Sequence, residues 1–168
     1  MTLSEMLLPE FDREMAATRK TIERVPDDRL DWQPHAKSMT MRGLVTHLSN
    51  MPTWAGHALN SDALDLAPQG VPLRAAPAGS AREAVEQFDR NVAEARAAIA
   101  GADDAAFAGP WSLRQNGRTI FTMPKLDVLR TFVMNHIIHH RAQLGVYLRL
   151  NDVPVPSVYG PSADEAGM

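Results

Sequence analysis

The chain has 168 residues, 45% of them hydrophobic, a formal net charge of −3 and no cysteine. That length and apolar content predict one domain, 1–168, with a substantial core, and exclude global disorder. The absence of cysteine excludes disulfides, cysteine–zinc sites and a protein thiol nucleophile, and the lack of a long basic run argues against nucleic acid as the main partner.

No apolar run reaches the ~18 residues of a transmembrane helix, and no signal peptide shows at the N-terminus, so a cytoplasmic protein without a membrane partner is expected. Residues 3–24 read as a first helix, with Leu3, Met6, Leu7, Phe11, Met15, Thr18 and Ile22 at 3–4 spacing. Thr2 or Ser4 is its candidate cap and Pro26 stops it. In the link that follows, Trp32 is expected to lie over the end of the helices.

Thr40 opens a second helix, 41–60, whose stripe runs Met41, Leu44, Val45, Leu48, Met51, Ala55, Ala58 and Leu59. Pro52 should kink it. His47 sits at the edge of the stripe, in line with Leu44, Met51 and Trp54, whereas His57 turns away and reads as a surface residue. Residues 61–79, rich in proline, glycine and alanine, read as a connection long enough to cross one end of the helices. Ser80 and Glu83 form a capping-box pattern for a third helix, 81–100, which Gly101 ends. Its inner face is Ala84, Val85, Phe88, Val92, Ala95 and Ile99.

Residues 104–124 lack helical periodicity. Two short apolar runs flank Asn116-Gly117, which favours a short hairpin or an ordered loop over one end of the helices. Pro124 precedes a last helix, 125–150, with Asn151 as its stop and an extended tail whose last residues fray. Four helices with a long second and an irregular third connection make an all-α, four-helix architecture.

The last helix carries the chemistry. Asn135-His136-Ile137-Ile138-His139-His140-Arg141-Ala142-Gln143 holds three of the six histidines within five residues. His136 and His140 are i and i+4, one above the other on one face, which is the spacing two helical imidazoles need to grip one metal ion. They fall on or beside the apolar stripe Leu126, Leu129, Val133, Ile137, Leu144, Tyr147 and Leu148. His139 is rotated to the flank. The alternative at this point is a helix whose histidines are bonded to buried carboxylates. Gln143, Tyr147 and Arg141 are nearby candidates for contacts behind the ligands or to an anion, with a surface salt bridge as the plainer reading of Arg141.

Three stretches together resemble the DinB-like superfamily, which includes YfiT-like metalloenzymes and thiol-dependent transferases. They are Thr40-Met41-Arg42-Gly43-Leu44-Val45-Thr46-His47-Leu48, the segment Asn135 through Gln143, and the tail Leu150 through Glu165. The resemblance implies a four-helix bundle in up-down-down-up order and a three-histidine metal site, whose ligands fall on His47, His136 and His140. It further implies zinc or nickel, then iron or manganese, and a homodimer.

As function, the resemblance implies transfer of a low-molecular-weight thiol of the bacillithiol or mycothiol type to a small electrophile. Because the chain has no cysteine, that sulfur comes from a cosubstrate. Three neutral imidazoles leave a divalent ion its charge and open positions, as in catalytic sites. The competing readings are a metal-dependent hydrolase, a non-catalytic metal-binding stress protein and a plain helical interaction module. The segment from Trp111 to Phe121 and the Trp54 face of the second helix are expected either to wall the electrophile pocket or to serve as core.

Overall fold

The computed structural model describes residues 1–166; Gly167 and Met168, the end of the expected 1–168 domain and of its fraying tail, lie outside the described residues. Helix α1 (Leu3–Ile22) starts at Thr2, whose hydroxyl accepts from the Glu5 N–H while the Glu5 carboxylate accepts from the Thr2 N–H, a reciprocal box. Ser4, the other candidate cap, is buried and donates to the Ile99 and Ala102 carbonyls instead. Met6, placed in the apolar stripe, is exposed.

Proline 52 has no N–H to donate, and the second helical stretch breaks there into α2 (Met41–Asn50) and α3 (Thr53–Asn60). Helix α4 (Ala81–Gly101) is capped by the Ser80 hydroxyl, which accepts from the Glu83 N–H; the Glu83 carboxylate reaches past Ser80 to the Gly79 N–H. A short α5 (Asp104–Ala108) follows. The last helical stretch has three parts: α6 (Lys125–Val128), a π-helical turn (Leu129–Asn135) and α7 (His136–Leu150), with Asn151 as its cap.

Hydrogen bonds fix how these rods run. Ser4 at the start of α1 meets the end of α4, so the two are antiparallel. Arg42 donates to the Ala78 carbonyl, Ser49 Oγ to that of Ala84, and Asn91 Nδ2 to that of Ser49, so α2 runs alongside α4 in the same direction. Tyr147 donates to the Met39 carbonyl, which sets α7 antiparallel to α2. Glu10–Arg130 and Glu14–Arg141 pairs set α1 parallel to the last helix. Phe11, Met41, Leu44, Leu48, Phe88, Ile99, Leu129, Ile137 and Leu144 fill the space between the rods.

The fold is nevertheless mixed α/β, which overturns the all-α four-helix expectation. A three-stranded sheet in the order β1-β2-β3 joins β1 (Ala63–Asp65), β2 (Pro110–Gln115) and β3 (Arg118–Pro124). β2 and β3 form the antiparallel hairpin, turning at Asn116 (φ 50°) and Gly117 (φ 77°), the left-handed pair that suits the twist of a two-residue turn. β1 lies in the stretch read as a connection. It pairs parallel with β2, Leu64 opposite Leu113. A parallel partner must return through a crossover, here α4 and α5, so neither alternation nor a local turn marks this strand. The Asp65 carboxylate accepts from the Ala67, Asn116 and Gly117 N–H groups and fastens β1 to the hairpin turn.

The tail folds back on the helices. Arg149 pairs with Asp164, Arg24 with Glu165, and the Glu165 carboxylate accepts from the Ser157 N–H. The Tyr159 hydroxyl reaches back from the tail to donate to Glu14 (2.7 Å) and accept from Arg141 Nη2 (2.6 Å). Glu14 and Arg141 pair at 2.8 Å with side-chain exposures of only 9% and 4%. Removing one member of a buried pair strands the other charge. Arg141→Leu is therefore expected to lower unfolding free energy by about 3–5 kcal/mol in denaturant titrations. Glu14→Met combined with Arg141→Leu should recover most of it, and a single-variant loss under about 1 kcal/mol would contradict the burial argument.

Candidate metal centre

Three imidazoles converge where α2 crosses the start of α7. Thr40, whose hydroxyl accepts from the Gly43 N–H, sets the first turn of α2 and so the angle at which His47 leaves it. His136 is the first residue after the π turn, and His140 lies one turn on. His136 Nε2 stands 2.8 Å from His140 Nε2 and 3.5 Å from His47 Nε2, and one ligand nitrogen from each ring lies within 4.8 Å of the others. About a tetrahedral zinc with bonds of about 2.0–2.1 Å, ligand nitrogens stand about 3.3–3.4 Å apart. The 2.8 and 3.5 Å separations bracket that value, so the cluster fits a small divalent ion with little movement.

Burial sets the protonation of the cluster. His47 is pushed down to about 4, mainly by desolvation, with the neighbouring His140 and His136 charges adding to it. His136 and His140 are also lowered, again chiefly by burial. Neutral rings offer lone pairs, which is the state a metal requires. No buried carboxylate takes these rings as partners among the described residues, so the alternative of acid-paired histidines is not what this helix forms.

One side chain holds a ring from behind. His140 Nδ1 meets Gln143 Oε1 at 2.7 Å. Such partners fix the orientation of a ligating histidine. Gln143 stands out in sequence by its i+3 spacing from His140. The π turn that leads into His136 does not, because it is not visible in the periodicity.

The remaining candidates fall elsewhere. His139 is exposed, its ring 3.0 Å from Gln143 Nε2. His57 and His35 are exposed and away from the cluster. Arg141 is neither a surface salt bridge nor an anion contact, being buried against Glu14 on the other side of α7. Tyr147 is structural: it packs edge-on to Trp32 at 5.4 Å and bonds to Met39. Trp54, Trp111, Phe121 and Phe132 form one aromatic cluster beside the triad, with Phe121 and Phe132 stacked at 5.1 Å. Trp111 within it is fully buried.

The family model that matches residues 1–167 of the chain is that of the DinB family. The chain belongs to the DinB family. Two solved structures share the fold of this DinB protein. A DinB-like protein from Bacillus cereus ATCC 10987 aligns with a TM-score of 0.71 at 20% identity, covering 94% of this chain and 98% of that one. A DinB-like protein from Bacillus subtilis aligns with a TM-score of 0.68 at 16% identity, covering 91% and 96%. No functionally curated protein matches. Among the described residues no helix is long and apolar enough to cross a membrane.

The lowered His47 value couples stability to pH. Between about pH 4 and pH 6.5 the unfolded chain binds a proton at His47 that the folded chain does not. Stability of the metal-free protein therefore rises with pH across that window and falls as pH drops through it. His47→Leu is expected to flatten this slope in denaturant titrations across the window. Identical slopes for the two proteins would show that His47 is not desolvated in solution.

Proposed function

We propose that this DinB protein is a divalent-metal-dependent enzyme that transfers a low-molecular-weight thiol to an electrophilic carbon of a small molecule. The observation that carries the reading is the convergence of three neutral imidazoles from two helices in a chain without cysteine. His47, His136 and His140 would hold the ion, with zinc or nickel suiting an all-imidazole donor set. When bound, such an ion supplies Lewis acidity, which lowers the pKa of a thiol or a water molecule to near neutrality. Three protein ligands leave a position free, which favours catalysis over a purely structural clip.

The chain's own residues do the rest. Burial keeps the three rings unprotonated, while Gln143 holds that of His140 in place. Trp54, Phe121 and Phe132, half-buried beside the triad, are proposed to wall the electrophile's site, where an apolar surround strengthens electrostatic effects. A cytoplasmic setting accords with this chemistry, since intracellular thiols are kept reduced. The protein is further proposed to act as a homodimer, supported by Val146, Leu150 and Tyr159, large apolar side chains exposed on α7 and the tail. Sedimentation at micromolar concentration that shows only a species near the chain mass of 18.5 kDa would count against the dimer.

Alanine at His47, His136 or His140 should abolish stoichiometric zinc or nickel uptake, whereas His35→Ala, His57→Ala and His139→Ala should retain it. Full metal content in His47→Ala protein, read by atomic emission, would remove α2 from the site.

Thiol chemistry has a separate test. Cobalt-substituted protein titrated with bacillithiol, mycothiol or glutathione should show an intense near-ultraviolet sulfur-to-cobalt charge-transfer band. Absence of the band together with metal-dependent ester or amide hydrolysis would reassign the protein as a hydrolase. Absence of both would leave a non-catalytic metal-binding protein.

A further inference from the structure

Gln143 stands between two imidazoles on one face of α7, three residues from His140 and four from His139, the spacings at which helical side chains meet. Its Oε1 lies 2.7 Å from His140 Nδ1 and its Nε2 lies 3.0 Å from His139 Nε2. An amide oxygen only accepts and an amide nitrogen only donates. The His140 proton is therefore on Nδ1, and Nε2, 2.8 Å from His136 Nε2, is the acceptor of that contact. The other tautomer would leave a bare Nδ1 facing an oxygen, two acceptors in contact, and would put on Nε2 the proton that a ligating nitrogen must lack.

We propose that Gln143 is the positioning residue of the triad: its amide oxygen fixes the tautomer and ring angle of His140, and its amide nitrogen, donated to His139, keeps the amide from turning over. The proposal rests on the metal-centre reading of the triad and deepens it by assigning the residue that makes His140 competent to bind. The two α7 rings are treated differently by the fold. Among the described residues, the hydrogen-bond partners of the His136 side chain are the other two imidazoles. Among the described residues, the partner of His140 Nδ1 is a side chain. That side chain is exposed, so its variants leave the core intact.

The experiment compares zinc affinity, by competition with a chromophoric chelator, in the wild type, Gln143→Leu, Gln143→Glu and His139→Ala, and reads the His140 tautomer in each metal-free protein by nitrogen-15 NMR of the imidazole. Gln143→Leu should lose about 10–100-fold in affinity, the usual cost of removing the partner behind a ligating histidine. It should also show a mixture of His140 tautomers. Gln143→Glu offers the same acceptor and should keep wild-type affinity and the Nδ1–H form. His139→Ala should lose less than Gln143→Leu. Wild-type affinity in Gln143→Leu, a Glu variant as weak as the Leu variant, or an Nε2–H tautomer in the metal-free wild type would each overturn the assignment. A wild type that takes up no zinc would instead defeat the metal-centre reading, and the tautomer populations would still decide whether Gln143 controls His140.

Discussion

Desolvation of three imidazoles at one point is the constraint on which the rest of the arrangement depends. Rings this close cannot share positive charge, and burial drives their protons off. A cluster of neutral, inward-pointing nitrogens is unfavourable unless something outside it satisfies the opposite ring atoms. The fold answers with the Gln143 amide on the α7 side. It answers on the α2 side by locking that helix to α4 through the buried Ser49–Ala84 and Asn91–Ser49 bonds. Helix α2 cannot slide along α7 without breaking these bonds and the Tyr147–Met39 bond.

The same turn of α7 meets an opposite demand on its other side. Arg141, next in sequence to His140, is a permanent charge buried against α1, where Glu14 and the Tyr159 hydroxyl complete its coordination. Its guanidinium also lies 5.2 Å from the Tyr159 ring. Adjacent residues on a helix differ by about 100° in direction. One residue thus feeds the triad while its neighbour anchors α7 to α1 and to the tail. The Asp164 and Glu165 pairs with Arg149 and Arg24 hold that tail, so the tail block that resembles the family so specifically serves here as an anchor for α7.

The sheet sits where the broken second helix and the last helix come together. Trp111 on β2 is buried against Trp54 on α3, and Phe121 on β3 stacks on Phe132 of the π turn. These contacts tie the hairpin to the π turn that leads into His136. A π turn spreads its hydrogen bonds over five residues instead of four, a geometry found often at functional sites. Here it ends at the first histidine of the α7 pair.

Sequence by itself determined the long helical stretches, an interruption at Pro52, the turn at Asn116-Gly117 and the face shared by His136 and His140, but not the short α5, which lies in a segment without helical periodicity. Each is a local matter: side-chain period, a missing N–H, left-handed backbone and i,i+4 spacing act within a few residues. It also indicated His47, though through family resemblance, since nothing within α2 says which helix it faces. Tertiary structure alone decided that β1 is a strand, because three residues pairing parallel with a distant partner carry no pattern of their own. It also decided that Arg141 is buried rather than exposed, because its partners come from α1 and the tail. The π turn belongs to the same class: it arises from backbone geometry and from how one helix is packed on another, which residue identity does not encode locally.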